Sequence, residues 1–263
     1  MWGIIPAAGS GNRIQPLAFS KELLPVGSQI QSSGLRPRAV GEYLVERMAQ
    51  AGVTRICFVI SAGKSDIMRY FGHGTGSIHF SYTIQPQPSG LCDSIFRALT
   101  LIGADDQVVV GLPDTIWYPV DGLCSLPDGA FSFLLFPVDQ PQNYDAVVMD
   151  KENRIKEIVV KRAQNETNLI WGAFKIPGST LHSLHTLWAS RDCRDEYIGT
   201  LVNAFIGSGQ TVCGVAAGSK YVDVGTVNGY YEAIELLSSS AAGHGNVSDG
   251  KKKHQEQVYE QFP

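Results

Sequence analysis

Short apolar runs alternate with helix-like patterns over residues 1–120. The runs have almost no polar interruption and predict buried strands at 2–5, 55–60, 78–84 and 108–112. Between them, apolar residues at helical spacing predict helices at 40–51, 65–71 and 91–102. Because strand and helix take turns, we expect an α/β fold: a doubly wound, mostly parallel, Rossmann-like mixed sheet with helices on both faces. Such sheets bind ligands at the carboxyl ends of their strands.

The pattern after residue 120 is richer in strands. Apolar runs predict strands at 131–136, 146–149, 155–160, 169–176 and 212–216, the second and third of which form a hairpin. Helices are predicted at 180–189, 197–206 and 228–237. We therefore expect one domain over residues 1–237, with a polar, exposed excursion at 28–38. The composition of residues 238–263 is typical of a flexible tail.

The composition excludes several classes of function. With 21 basic and 25 acidic residues, the net charge is −4, which provides no field for wrapping a nucleic acid polymer. Five cysteines without a Cys-x-x-Cys pair indicate neither a disulfide framework nor a zinc site. No apolar stretch approaches the roughly 18 residues of a membrane span, and no leader pattern precedes the first strand. We therefore expect a cytoplasmic protein that contacts no membrane.

Small residues follow the first predicted strand, at Ala7, Ala8, Gly9, Ser10 and Gly11. Backbone N–H groups without bulky side chains can approach phosphate oxygens, and the cations Arg13 and Lys21 can neutralise phosphate charge. The stretch therefore predicts a site for a nucleotide polyphosphate. A glycine pair after a strand is also compatible with an ordinary turn.

Two common phosphate loops are excluded by inspection. Ile14 stands where the dinucleotide-binding fingerprint has its third glycine. Gly63, Lys64 and Ser65 copy the end of a P-loop, but Phe58 stands in place of that loop's first glycine. We interpret Lys64 as a solvated lysine near a helix start.

Two aspartates follow apolar strands at distant points of the chain. Asp114 comes just after one predicted strand, and Asp223 lies between another strand and a helix. Because magnesium commonly takes one or two protein carboxylates and keeps its other positions for phosphate and water, the pair predicts a shared Mg²⁺ site. Alternatively, Asp114 starts a turn and Asp223 caps a helix, although Thr226 or Asn228 is better placed to cap.

The early stretch carries a resemblance to a known family. Gly9-x-Gly11-x-Arg13, followed by Ser-Lys-Glu-Leu-Leu-Pro at 20–25, resembles the signature of the sugar nucleotidyltransferases, above all their glucose-1-phosphate thymidylyltransferase branch. The match is specific because it needs two glycines, an arginine and a lysine before Leu-Leu-Pro in order. It implies an enzyme of the EC 2.7.7 class that joins a nucleoside triphosphate to a sugar 1-phosphate and releases pyrophosphate, with Mg²⁺ as cofactor.

The resemblance also assigns the phosphate-handling residues. It implies that Arg13 binds the departing pyrophosphate and that Lys21 stabilises the α-phosphate, as catalytic residues. The family's two metal aspartates correspond to Asp114 and Asp223, although Pro113 and Thr115 depart from the pattern around the first one. The implied nucleotide-binding residues are Ala7, Ala8, Gly9, Ser10, Gly11, Gln85, Gly90 and Asp114.

Gln85 and Gly90 lie in Gln-Pro-Gln-Pro-Ser-Gly-Leu, which is similar to the family segment that recognises the nucleobase. A glutamine amide can donate and accept together, as pairing with a uracil or thymine edge requires, and Gly90 would let backbone approach the ring. The resemblance therefore favours dTTP or UTP. Taken without the other motifs, the segment favours a proline-rich turn whose glutamine faces water.

The sugar-phosphate residues depart most from the family. Lys161 matches the lysine of the family's Glu-Lys-Pro, but Val160 and Ala163 replace its neighbours, and Arg162 is a rival for the same role. Gly172 resembles the family's glycine at the floor of the sugar site, although strand packing would also explain it. Candidates for contacts to the sugar hydroxyls are Trp171, Glu196, Tyr197 and Asn203. The resemblance thus divides the domain into a nucleotide-binding half, 1–120, and a smaller β-rich sugar-phosphate-binding half, 121–237.

Two alternatives stay open. One is a cytidylyl- or guanylyltransferase that acts on another phosphorylated acceptor, and the other is a non-catalytic relative that binds nucleotide in a regulatory role. The expected partners are a nucleoside triphosphate and a sugar 1-phosphate. Related enzymes are often homo-oligomers, so a homo-oligomer is also compatible with the resemblance.

Overall fold

The computed structural model describes residues 1–31, 34–162 and 166–243. The strands are β1 (Trp2–Pro6), β2 (Pro25–Gln31), β3 (Gly34–Ala39), β4 (Arg55–Ile60), β5 (Gly74–Thr75), β6 (Ile78–Ile84), β7 (Gln107–Gly111), β8 (Thr115–Tyr118), β9 (Ser132–Pro137), β10 (Asp145–Met149), β11 (Ile155–Val160), β12 (Leu169–Pro177), β13 (Cys213–Val215) and β14 (Lys220–Asp223). The helices are α1 (Val40–Gln50), α2 (Ser65–Phe71), α3 (Gly90–Arg97), α4 (Gly178–Ser190), α5 (Ile198–Gly207) and α6 (Val227–Gly243).

Two helix predictions need correction. The segment predicted as one helix at 91–102 divides into α3 and a short 3₁₀ turn at Leu99–Leu101. Helix α6 continues to Gly243, so residues 238–243 are helical, and the predicted tail begins too early. The predicted tail beyond residue 243 lies outside the described residues.

A mixed sheet forms the centre of the fold. Its strand order is β11-β10-β12-β7-β1-β4-β6-β5, and β9 and β13 pair beside β12. Parallel pairing joins β1 to β4, β1 to β7 and β4 to β6, whereas the flank around β12 is antiparallel. Strands β4 and β6 follow one another on one side of β1, and the chain then crosses to the other side of β1 to form β7. The carboxyl ends of β1 and β7 therefore frame the crevice where doubly wound sheets bind ligands.

Successive side chains of the central strands enter different cores. Ile4 packs with α3, α4 and α5 on one face of the sheet, whereas Ile5 packs with α1 and α2 on the other. The same alternation holds along β7, where Val109 faces opposite to Val108 and Val110. Because both faces are covered, the strands read as continuous apolar runs. The predicted α/β class with helices on both faces is confirmed.

The described residues of the predicted excursion at 28–38 are mostly exposed, as expected, and they form an antiparallel hairpin, β2–β3, which was not predicted. The hairpin lacks the usual alternation of apolar and polar residues, because the face that packs on the protein carries polar side chains. Gln29 donates a 3.0 Å hydrogen bond to Glu42 of α1, and Arg36 pairs with the same carboxylate at 3.0 Å. The hairpin therefore packs on α1 through polar groups.

A second small sheet, β8–β14, was not predicted. Both strands are four residues long, too short for a periodic signal. Their antiparallel register sets Asp223 opposite Thr115, directly after Asp114. This pairing brings together two aspartates that are far apart in the sequence.

Candidate active site

A cleft of about 940 Å³ opens at the carboxyl ends of β1 and β7. The predicted site residues that line it are Ala8, Gly9, Ser10, Gly11, Arg13, Lys21, Gln85, Gly90, Asp114, Lys161 and Asp223. Ala7 is buried beneath the lining. Gly172 packs instead against Phe136 and Tyr221, where an added Cβ would lie 2.6 and 2.8 Å from ring carbons. One cleft thus brings together most residues that the sequence singled out.

Glycine at position 11 has a structural reason in the loop after β1. Its φ is +69°, and an added Cβ would lie 2.9 Å from Cδ of Lys21. A side chain here would strain the backbone and displace the lysine stem. By contrast, Gly9 and Ser10 are exposed, and nothing lies within 4 Å of the Cβ position at Gly9. This part of the loop presents its backbone to the cleft.

Lys64 anchors this loop, so its interpretation as a solvated lysine is wrong. Its Nζ donates to the carbonyl oxygen of Ala7 at 2.8 Å and to both carboxylate oxygens of Glu22 at 2.8 Å. Only 12% of the Lys64 side chain is exposed. Burial raises the pKa of Glu22, and the charge of Lys64 opposes that shift. Since Glu22 directly follows Lys21, the anchor connects the loop to the segment that carries the second cation.

Lys21 and Asp114 form a largely buried ion pair, with 2.5 Å between Nζ and Oδ2. Burial alone would raise the pKa of the Asp114 carboxyl, but the charge and hydrogen bond of Lys21 hold that pKa below its usual range. Burial would lower the pKa of the Lys21 amine, and the Asp114 carboxylate reverses the direction and raises it. Both groups therefore stay charged at neutral pH.

A second ion pair lies beside the first. Arg13 Nη1 is 2.9 Å from Asp223 Oδ2, and the Arg13 side chain is 62% exposed. The two pairs meet around Gly225: an added Cβ there would lie 2.8 Å from Asp114 Oδ2 and 2.9 Å from Asp223 Oδ1. Glycine at position 225 therefore leaves the space that both carboxylates border.

The carboxylates around Gly225 fit a magnesium site. They offer hard oxygen ligands, and Mg²⁺ is commonly held by one or two carboxylates together with substrate phosphates. Among residues 1–31, 34–162 and 166–243, no three or more His, Cys, Asp or Glu side chains cluster as a ready-made metal cage. Two carboxylates leave the remaining coordination positions of a Mg²⁺ ion open for phosphate oxygens and water.

The proposed base-recognition residue, Gln85, is held rigidly. Its side chain is 3% exposed, and its amide nitrogen donates to Gly90 O at 3.1 Å and to Asp93 Oδ2 at 2.8 Å. These bonds commit the donor, so the amide oxygen is left to accept. Gly90 has a φ of +93°, and an added Cβ would lie 2.7 Å from the backbone of Glu196. Glycine is therefore required here by the fold itself.

At the other end of the cleft, the structure separates Lys161 from its rival. Lys161 lines the cleft, and its amine lies 4.3 Å from the ring centroid of Tyr197 and 3.3 Å from its hydroxyl. Arg162 points to Glu157, 3.3 Å away, and is not part of the lining. The backbone at Lys161 has a positive φ of 46°. Of the two cations, Lys161 is the one that lines the cleft.

Sequence reasoning missed Asp145, which lines the same cleft, and the Lys64–Glu22 anchor that supports the loop after β1. Of the expected hydroxyl contacts, Trp171, Glu196 and Tyr197 line the cleft, whereas Asn203 bonds to the backbone of Ile158 and is not part of the lining. Glu22 lies next to Lys21 inside the family-like segment, so its position was a usable signal. Asp145 begins β10, and nothing in its sequence context distinguishes it from an ordinary strand residue.

Known proteins match this chain along nearly its whole length. A family profile described as nucleotidyl transferase matches residues 2–240. The chain is 25% identical over 260 residues to a low-salt glycan biosynthesis nucleotidyltransferase from Haloferax volcanii, covering 95% of this chain and 70% of that protein. It is 27% identical to a glucose-1-phosphate thymidylyltransferase from Mycolicibacterium smegmatis, covering 90% of this chain and 82% of that protein.

A solved structure agrees in fold. The UTP-bound UGPase from Acinetobacter baumannii superimposes with a TM-score of 0.76 at 19% identity, covering 91% of this chain and 93% of that one. The family profile and these likenesses place the chain in the nucleotidyl transferase family. Within the described part of the chain, no helix has the length and apolar character to cross a membrane.

Proposed function

We propose that this protein condenses dTTP or UTP with a sugar 1-phosphate to give a nucleoside-diphosphate sugar and pyrophosphate. The observation that supports this most is the meeting of Arg13, Lys21, Asp114 and Asp223 in one cleft at the ends of β1 and β7. Two cations and two carboxylates at such a crevice suit a metal-bound polyphosphate. The glucose-1-phosphate thymidylyltransferase relatives agree with this substrate pair.

The reaction needs little acid–base help from the protein. A phosphate oxygen of the sugar 1-phosphate attacks the α-phosphorus of the triphosphate, and the bond to the pyrophosphate oxygen breaks. Since the attacking phosphate is already anionic near neutral pH, no side chain has to remove a proton. The protein has to align two polyanions and cancel their repulsion, and alignment alone can contribute roughly 7 to 11 kcal/mol.

The two cations take different parts in this mechanism. Lys21 is largely buried and held by Asp114, so it is a preorganised donor beside the α-phosphate, where charge grows in the transition state. Arg13 is more exposed and can turn from Asp223 to the departing pyrophosphate. Lys161, on the far side, receives the phosphate of the acceptor.

Asp114 and Asp223 would hold the magnesium ion. When bound, Mg²⁺ neutralises phosphate charge and orients the triphosphate. Both carboxylates lie beside a cation in the protein alone, so the charge of this part of the cleft is balanced before substrate enters. The substrate phosphates would then take over the interactions of Lys21 and Arg13.

Gln85 supports uracil or thymine over cytosine. Its amide nitrogen is already bound to Gly90 and Asp93, which leaves the oxygen as an acceptor. Uracil and thymine present an N3–H donor, whereas cytosine has an unprotonated N3 that would meet the amide oxygen as a second acceptor. The preferred partner therefore carries a ring N–H.

The test is pyrophosphate release by the purified protein with glucose 1-phosphate, Mg²⁺ and each of dTTP, UTP, CTP and GTP. We expect release with dTTP or UTP that depends on both the sugar phosphate and Mg²⁺. Faster release with CTP or GTP would support the cytidylyl- or guanylyltransferase alternative. Nucleotide binding without release from any triphosphate, using a mixed pool of sugar 1-phosphates, would support the non-catalytic alternative and overturn the proposal.

A further inference from the structure

The acceptor end of the cleft carries a carboxylate with no role in the mechanism above. Asp145 is the first residue of β10, and it lies directly opposite Val160 of β11. Val160 precedes Lys161, at the position where the family pattern has glutamate. In this chain the acidic group, Asp145, therefore lies on the neighbouring strand β10, opposite the residue that precedes Lys161.

Asp145 lies next to an indole that also has unused hydrogen-bonding capacity. Its Oδ1 and the Nε1 of Trp171 are both buried, and neither completes a hydrogen bond within the described residues. Burial raises the pKa of the Asp145 carboxyl, while the nearby charge of Lys161 and the facing indole N–H oppose the shift. An acceptor and a donor therefore face each other without a hydrogen bond of good geometry.

Both residues belong to the wall of the cleft, and Asp145 is half-buried. An unpaired buried acceptor and an unpaired buried donor each cost free energy, because they lose water without gaining a partner. A hydroxyl group satisfies both at once, since it donates through its hydrogen and accepts through its oxygen. A sugar held at Lys161 by its 1-phosphate carries such groups on the adjoining ring carbons.

We propose that Asp145 and Trp171 recognise one hydroxyl group of the acceptor sugar, with Asp145 accepting and Trp171 donating, and thereby select the sugar 1-phosphate. This inference rests on the proposed function, whose acceptor it defines more closely. The substrate class is a neutral sugar 1-phosphate with a free hydroxyl at the selected carbon. A uronic acid, with a carboxylate close to Asp145, is disfavoured by charge repulsion.

The experiment compares glucose 1-phosphate with its 2-, 3-, 4- and 6-deoxy analogues in wild type and in Asp145→Ala, Asp145→Asn and Trp171→Phe. We expect wild type to discriminate against one deoxy analogue by roughly 10- to 100-fold in kcat/KM, the range for loss of a hydrogen bond to a charged acceptor. In Asp145→Ala the same ratio should fall to near one, with the KM for the triphosphate unchanged. Trp171→Phe should reduce the ratio partly.

Asp139→Asn is the matched control, because Asp139 is an exposed carboxylate that lines the adjoining cleft instead. It should keep the wild-type ratio. Equal ratios in wild type and Asp145→Ala for every analogue would overturn the inference, because a purely structural Asp145 would change rates without changing selectivity.

A binding measurement separates this inference from the proposed function. Calorimetric titration of each sugar 1-phosphate into wild type and Asp145→Ala needs no turnover. If wild type releases no pyrophosphate yet binds glucose 1-phosphate more tightly than one deoxy analogue, and Asp145→Ala does not, the proposed function fails and the hydroxyl contact stands. If turnover is present but neither kinetics nor binding distinguishes the analogues in an Asp145-dependent way, only the hydroxyl contact fails.

Discussion

Each end of the cleft has an aspartate, but the surroundings shift the pKa of the two carboxyl groups in opposite directions. At the phosphate end, Asp114 lies 2.5 Å from Lys21, and that cation holds its pKa below the usual range despite burial. At the acceptor end, burial prevails and raises the pKa of Asp145, although Lys161 is near. One carboxylate is balanced within the protein, whereas the other is left with an unsatisfied oxygen.

The two settings suit two different tasks: binding a triphosphate, which is common to all substrates, and selecting one sugar among several. Every nucleoside triphosphate presents the same charged phosphates, so paired cations and carboxylates can be assembled in advance. Neutral sugars differ mainly in the positions and configurations of their hydroxyl groups, and a site selects among them by leaving defined polar atoms for the substrate to satisfy. We therefore expect changes at the phosphate end to affect turnover of all substrates and changes at the acceptor end to affect selectivity.

The largest effect is expected from Lys21→Ala. Loss of this preorganised donor should lower kcat by about 100- to 1,000-fold for every acceptor, because it removes transition-state charge stabilisation. Steady-state pyrophosphate release measures it. Lys156→Ala is the control, since Lys156 is 64% exposed and pairs with Asp150 in the hairpin turn. A loss confined to one sugar would contradict the division between the two ends.

Arg13→Ala should lower kcat by about 100-fold, with the fold intact, because an exposed side chain contributes little packing. Circular dichroism and pyrophosphate release together test this. Arg154→Ala offers a close match: its side chain is 59% exposed, against 62% for Arg13, and pairs with Glu152. Near-normal release by Arg13→Ala would remove this cation from the mechanism.

Gly225→Ala probes the space between the two aspartates. Its methyl group would lie 2.8 Å from Asp114 Oδ2 and 2.9 Å from Asp223 Oδ1, closer than real contacts allow. We expect turnover to fall by about tenfold or more and the Mg²⁺ concentration for half-maximal rate to rise, since small displacements of reacting groups are costly. Gly63→Ala, with nothing within 4 Å of its Cβ position, should behave as wild type.

The pH dependence of the free energy of unfolding should have opposite signs for Asp114 and Asp145. Asp114 has a depressed pKa in the fold, so its contribution is present above about pH 4, the unfolded value, and is lost as pH falls through the folded pKa. Asp145 has a raised pKa, so its contribution is present below the unfolded value and is lost as pH rises through the folded one.

At pH 7, Asp114→Asn should therefore lower the free energy of unfolding by about 1 to 3 kcal/mol, because Lys21 loses its partner. Asp145→Asn should leave it unchanged or raise it. Urea unfolding of both variants at pH 7 and pH 4 checks the signs. A decrease for Asp145→Asn comparable to that for Asp114→Asn would show that the two settings are alike.

The central sheet and the phosphate end were predictable from sequence because their signals are local. Apolar runs marked β1, β4 and β7, and a contiguous motif carried Gly11, Arg13 and Lys21. The proximity of Asp114 and Asp223 was expected, but the β8–β14 sheet that produces it was not, because its strands are too short for a periodic pattern. Asp145 could not be found, and Trp171 could not be paired with it, because their proximity depends on cross-strand geometry, which one sequence does not display.

The proposal that Asp114 and Asp223 bind Mg²⁺ together with the triphosphate is tested most directly by the effect of Mg²⁺ on triphosphate affinity. We would measure the affinity for UTP or dTTP without acceptor, in Mg²⁺ and in EDTA, for wild type and Asp114→Ala/Asp223→Ala. We expect Mg²⁺ to tighten binding by about tenfold or more in wild type and to have no such effect in the folded double variant. The same Mg²⁺ dependence in both proteins would contradict it.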